Sequence, residues 1–221
     1  MISSLLPDWV ATCEAYHDAS EDALFPAERD IITRAVQKRR SEFTTVRVCA
    51  RAALAQLGIA PAPILPGLRG APGWPDGVIG SMTHCDGYRA AAVALGSSGA
   101  GIGIDAEPHG PLPDGVIRLV ARPEEYERLD ALATGHPGVH WDRLLFSMKE
   151  SVYKAWFPLT GRWLDFQEAS ITMRPEYGTF SAELLVPGPT VGGSEITAFQ
   201  GRFVVSDGLV LSAITVGAGM G

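Results

Sequence analysis

At 221 residues, with 46% hydrophobic and 19% charged side chains, the chain can bury one large core or two smaller ones, and neither disorder nor a coiled coil fits. A formal charge of −7 argues against a general nucleic-acid or anionic-membrane binder, since those rely on an overall basic surface. Cys13, Cys49 and Cys85 are odd in number, widely spaced and in no CxxC arrangement, so neither a disulfide framework nor a zinc site is indicated and a reducing compartment is expected.

Met1 to Trp9 carries no Lys or Arg ahead of its short apolar run, and no apolar stretch approaches the roughly 18 residues of a membrane span. A soluble cytoplasmic protein is expected. Residues 1 to 26 read as irregular, with Pro7, Pro26 and an acidic run from Asp18 to Asp22. From Ala27 the pattern turns helical, and Arg34, Lys38, Arg39, Arg40, Arg47 and Arg51 gather a third of the 18 Lys and Arg into one stretch. Val46, Ala50, Ala53, Leu54 and Leu57 recur at helical spacing there, with Gly58 as the stop. Such a cluster is either a solvated helix face or a phosphate cradle, because guanidinium forks bind phosphate oxygens in pairs.

Ala60 to Gly77, rich in Pro and Gly, reads as an ordered loop in which Arg69 and Trp74 either line a nucleotide site or pin the loop. Val78–Ser81, Tyr88–Leu95 and Gly101–Glu107 read as three strands whose short connections predict antiparallel neighbours. Ser81, Thr83 and His84 lie where the first of them ends and offer donors to an anion, although a lone loop His is more often structural.

In Gly101–Pro108, Ile102, Ile104 and Ala106 alternate with Gly103, Asp105 and Glu107, so both carboxylates leave one face of a strand and the glycines leave room for something bulky to approach. Two carboxylates about 5 Å apart repel by about 3 kcal/mol at an effective dielectric near 20. Unless this is merely a solvated sheet edge, a cation belongs between them, and hard oxygen ligands suit Mg2+ or Mn2+.

Gly110 to Val120 is a loop carrying Leu112, Val116 and Ile117, and Pro123 with Glu124 and Glu125 opens a short helix. A second important helix runs from about His140 to Trp156. Its apolar stripe includes Trp141, Leu144, Leu145, Met148 and Val152, while Ser147, Glu150 and Lys154 share another face with Lys149 beside them. An exposed Glu–Lys pair would look the same. Beyond Pro158 four strands follow, Ala169–Met173, Gly178–Val186, Glu195–Val205 and Leu209–Val216, with Ser206-Asp207-Gly208 as a hairpin turn. Helices followed by an antiparallel set thus occur twice, which predicts an α+β fold of two lobes meeting near Asp105 with a ligand cleft between them.

Gly-Ile-Asp-Ala-Glu at 103–107, followed by Phe146-Ser-Met-Lys-Glu-Ser-Val-Tyr-Lys-Ala155, resembles the signature pair of the 4'-phosphopantetheinyl transferases. The likeness is to the longer, monomeric class that serves polyketide, nonribosomal-peptide and siderophore synthases, in its actinobacterial form. It extends to Lys38–Arg51, Trp74-Pro-Asp-Gly77 and Gly80–His84.

The resemblance implies two pseudo-symmetric lobes, each with helices packed on a small antiparallel sheet, 1–104 carrying nucleotide-phosphate contacts and 105–221 the metal and catalytic motifs. It implies transfer of phosphopantetheine from coenzyme A to a serine of an acyl or peptidyl carrier protein, with release of 3',5'-ADP. Asp105, Glu107 and Glu150 would then hold Mg2+. Glu150, Lys154 and Lys149 would be catalytic, and Arg39, Arg47, Ser81, Thr83 and His84 would hold the nucleotide. Where many relatives carry a Lys before Gly67 this chain has Pro66, and Arg69 is the candidate to supply that charge. Leu112, Val116 or Ile117 is expected to meet the carrier. The competing expectations are another Mg2+-dependent phosphotransferase or a coenzyme A hydrolase, and a coenzyme A binding module without catalysis.

Overall fold

The computed structural model describes residues 1–218. Two antiparallel sheets meet along one seam, and each carries one long helix, the two helices facing a common cleft. The first sheet has the order β1-β3-β2, from β1 (Ala11–Ala15), β2 (Val78–Cys85) and β3 (Tyr88–Leu95). The second has the order β4-β10-β9-β6-β5, from β4 (Gly99–Pro108), β5 (Ala169–Arg174), β6 (Thr179–Leu184), β9 (Ala198–Ser206) and β10 (Leu209–Gly217). A separate small ribbon pairs β7 (Thr190–Val191) with β8 (Ser194–Glu195). The helices are α1 (Pro26–Ile32), α2 (Gln37–Gln56), α3 (Ile117–Val120), α4 (Pro123–Gly135) and α5 (Trp141–Thr160).

Strand alternation builds the layers. On β3, Ala90, Ala92 and Ala94 face inward against Ile102, Ile104 and Ala106 of β4 and Leu209, Leu211 and Ala213 of β10, so the two sheets share one core. Ala91 and Val93 face the other way, onto Cys49, Ala50, Ala53 and Leu54 of α2. On the far side, Val210, Ile214 and Val216 of β10 join Leu144, Met148, Val152 and Trp156 of α5. α2 and α5 therefore cover the sheet faces turned away from this shared core and meet across one cleft, and the mixed α+β expectation holds.

Four expectations change. Residues 1–26 are not wholly irregular, because β1 pairs with β3 from Ala11↔Val93 to Ala15↔Arg89. β4 does not extend the β2–β3 sheet. It lies beside β2, joined to it through side chains instead of a backbone ladder, and pairs along its length with β10, Asp105 opposite Ser212, as one continuous strand from Gly99 to Pro108. β2 runs on to Cys85, which places Thr83 and His84 in the strand itself. Helix α5 also continues past Pro158 to Thr160, where Gly161, at φ 64°, donates to Phe157 O and ends it.

Gly103 shows why the glycines precede the acidic pair. A Cβ there would lie 2.0 Å from Ser151 O, so the bulky neighbour is the backbone of α5 itself. This close approach brings the α5 side chains onto the carboxylates of β4.

Candidate active site between the two sheets

β4 offers one edge to β10 and the other to β2. On that second edge Ser81 Oγ accepts from Ile104 N at 3.1 Å and Thr83 Oγ1 accepts from Ala106 N at 3.0 Å. Both hydroxyls are buried and serve as rungs between the sheets, and Ser81 also borders the open space shared with α2 and α5. Thr83 Oγ1 also donates to Asp105 Oδ1 at 3.3 Å.

Asp105 and Glu107 do leave the same face of β4, toward α5. Lys154 Nζ donates to Asp105 Oδ1 at 2.7 Å, and Arg143 Nη1 donates to Glu107 Oε2 at 2.9 Å. Arg143 also holds the carbonyls of Gly110 and Pro111, fixing the chain just after the acidic pair. Asp105 Oδ2 is buried with no hydrogen-bond partner. Burial first and the charge of Asp105 second push the Glu107 carboxyl above its usual range, with Arg143 opposing. Glu150 is pushed up by burial, with Lys154 opposing and Asp105 reinforcing the shift.

Among the described residues, no three His, Cys, Asp or Glu side chains stand close enough to hold an ion as they are. The expected convergence is replaced by cation pairing at Asp105 and Glu107. The donor set still fits a hard divalent ion, for it offers carboxylate oxygen, an orphaned buried Oδ2, and two neighbouring carboxyls raised by burial first and by the charge of Asp105 after it.

Glu150 and Lys154 face a cavity of about 640 Å³ whose opposite wall carries Arg39, Arg47 and His84, a size that suits a cofactor. Arg47 Nε donates to Ile64 O at 2.8 Å and Nη1 to Phe43 O at 3.3 Å, and burial brings its guanidinium down to about 10. Arg39 Nη1 lies 3.1 Å from His84 Nε2; as the guanidinium can only donate, Nε2 accepts and the ring proton sits on Nδ1, 3.6 Å from Glu42. Burial foremost lowers the His84 pKa. The other arginines of the basic stretch turn away. Arg40 pairs with Glu21, and Arg51 donates to both oxygens of the buried Glu28.

Arg69 lies on the strap that roofs the cavity, at φ 53°, with its guanidinium 5.3 Å from the Trp163 ring of the other lobe. Lys149, expected beside the reacting groups, is turned into the interior. Leu112 is buried and Val116 and Ile117 are half-buried against the α5 core, whereas Leu119 is 70% exposed. Sequence reasoning passed over Arg143 and Glu125. Neither has a local signal, since their partners lie 36 and 24 residues away.

Residues 101–186 match the family model described as the 4'-phosphopantetheinyl transferase superfamily, and residues 27–94 match that of the 4'-phosphopantetheinyl transferase N-terminal domain. The chain belongs to the 4'-phosphopantetheinyl transferase superfamily. It is 59% identical to 4'-phosphopantetheinyl transferase Svp of Streptomyces mobaraensis, over 100% of this chain and 91% of that protein. To Npt of Nocardia iowensis it is 50% identical, over 97% of this chain and 99% of the relative. To PptT of Mycobacterium tuberculosis it is 47% identical, over 98% of each. The matched segments divide between β3 and β4, at the crossing from one sheet to the other. As a transferase of this family it moves phosphopantetheine from coenzyme A to carrier proteins. No described helix is long and apolar enough to cross a membrane.

Proposed function

We propose that the transfer is Mg2+-dependent, releases 3',5'-ADP, and is carried out by a monomer acting on acyl and peptidyl carrier proteins of polyketide, nonribosomal-peptide and siderophore assembly. The observation that carries this reading is the cavity with Arg39 and Arg47 on one wall, Glu150 and Lys154 on the other, and the partnerless Asp105 Oδ2 behind them. Nucleic acid and membrane play no part in it.

The two lobes divide the work. Arg39, Arg47 and His84 hold the nucleotide phosphates, with Arg69 supplying a further cation from the strap. Ser81 and Thr83 contribute by keeping β2 against β4. Asp105, Glu107 and Glu150 hold Mg2+, or Mn2+ in its place, which supplies charge neutralisation and Lewis acidity at the pyrophosphate when bound. Glu150, its carboxyl raised above the usual range by burial, takes the proton of the carrier serine as its Oγ attacks phosphorus. The bond from that phosphorus to the 3',5'-ADP oxygen breaks, and the ammonium of Lys154, 27% exposed, offsets the charge left on the departing phosphate.

Incubation with coenzyme A, Mg2+ and an apo carrier should add one phosphopantetheine to the carrier serine by mass spectrometry, and EDTA should stop it. Consumption of coenzyme A without a carrier would favour a hydrolase. Tight binding with no transfer to any of several carriers would leave a binding module.

A further inference from the structure

Two ammonium groups of α5, five residues apart, have opposite surroundings. Lys154 reaches the cavity. Lys149 Nζ, its side chain 1% exposed, donates to Val120 O at 2.9 Å, Glu125 Oε2 at 2.7 Å and Phe166 O at 2.8 Å. An ammonium has three N–H donors, and all are used. Glu125 is equally committed, since Oε2 also accepts from Arg122 N at 2.8 Å and Oε1 from Ile171 N at 2.6 Å. The pair therefore ties the end of α3, the start of α4, β5 and the turn at Phe166–Glu168 to the catalytic helix.

What it ties matters for Glu150. Trp163, Leu164 and Phe166 line a pocket of about 100 Å³ beside Glu150 and Tyr153, and this wall reaches α5 through the Phe166 carbonyl on Lys149. Trp163 packs against Tyr153 with ring centroids 4.9 Å apart and planes tilted by 57°, and Phe166 against Phe146 at 5.9 Å and 54°. The Val120 carbonyl brings in the segment that carries the exposed Leu119.

We infer that Glu125 and Lys149 are positioning residues for the transfer: their buried pair fixes the wall beside Glu150 and the α3 segment, and neither side chain touches the substrate. A buried cation with every donor met by fixed oxygens cannot swing to a phosphate without leaving the Glu125 carboxylate unpaired in the interior. The inference rests on Glu150 standing at the reacting centre, but Glu125 lies outside the cavity, so its failure would leave Glu150 and Asp105 in their roles.

The test uses the full chain with Lys149→Met, Glu125→Gln and the double variant, each assayed with coenzyme A and an apo carrier and followed by thermal melting and amide hydrogen exchange. Both single variants should lower Tm, speed exchange at 117–121 and 163–168 by about tenfold or more, and lower kcat by roughly ten- to a hundredfold. The double variant should be no worse than Lys149→Met alone, because the two residues act as one unit. A Lys149→Met protein with wild-type Tm and exchange but kcat down by more than about a hundredfold would make Lys149 catalytic and overturn the inference. Glu125→Gln turning over at the wild-type rate would overturn it as well. Should the variants not fold, exchange in the wild type decides. The two segments should open together with α5, and a difference above about tenfold between them refutes the tie.

Discussion

Arg47 of α2 and Glu150 of α5 face one cavity, and the fold has used them to different degrees. Arg47 is built in: two of its nitrogens hold backbone carbonyls, Glu28 lies 3.8 Å away, and the Phe43 ring lies 3.2 Å under the guanidinium. Glu150 is moved by burial and by neighbouring charge, not by a hydrogen bond, and Asp105 behind it keeps one buried oxygen without a partner. The cationic wall is part of the architecture, while the acidic wall holds charge that the protein alone does not compensate. Substitutions on the first should therefore cost stability and binding together, and on the second chemistry alone.

The largest expected effect follows from the acidic wall. Glu150→Gln and Asp105→Asn should each lower transfer by about a thousandfold or more, through loss of base and of oxygen donors. Glu150→Gln should keep or raise Tm, because a carboxyl pushed up by burial is replaced by a neutral amide of the same shape. A melting curve and a single-turnover assay on each variant measure both halves. Loss of the fold in Glu150→Gln would erase the distinction between the walls.

Next in size is the cationic wall. Arg47→Met leaves the Ile64 carbonyl without its side-chain donor, whereas Phe43 O keeps its partner within α2, so stability should fall by about 1–3 kcal/mol while the coenzyme A KM rises. Urea unfolding and steady-state kinetics on one preparation test the coupling. A raised KM at unchanged stability would show that the Ile64 carbonyl does not depend on Arg47.

Legibility in the sequence divides along the same line. The period-two alternation of 101–108 gave the strand and the shared face of Asp105 and Glu107, because a half-buried strand writes its own pattern. The stripe of α5 and the Asp207-Gly208 turn, with φ of 52° and 74°, were readable for the same local reason. Sheet membership was not. Nothing in Gly101–Glu107 tells whether its backbone ladder will form with β2 or with β10, and that choice left Ser81 and Thr83 to bridge β2 to β4 through their side chains. Likewise Lys149 and Lys154 are indistinguishable in the motif, and only the distant Glu125 and Asp105 set them apart.

The smallest expected effect sharpens the comparison at His84, the titratable member of the cationic wall. Its ring meets Arg39 and Glu42, and it feels the charges of Lys154 and Arg89; burial leads in lowering its pKa, and Glu42 alone of these opposes. An unfolded His takes its proton near pH 6.5, before the folded one does. The unfolded state therefore binds more protons below that pH, so this contribution to stability is fully present above about 6.5 and is lost as pH falls toward the folded pKa. His84→Gln should remove that acid-side slope, worth less than about 1.4 kcal/mol per pH unit. A bound phosphate reverses the preference by favouring the imidazolium, so coenzyme A binding should take up protons near neutral pH and tighten from pH 8 to 6. Calorimetry in buffers of different ionisation enthalpy measures the uptake directly. The same uptake in His84→Gln would move the titrating group elsewhere and leave His84 as fixed a part of the wall as Arg47.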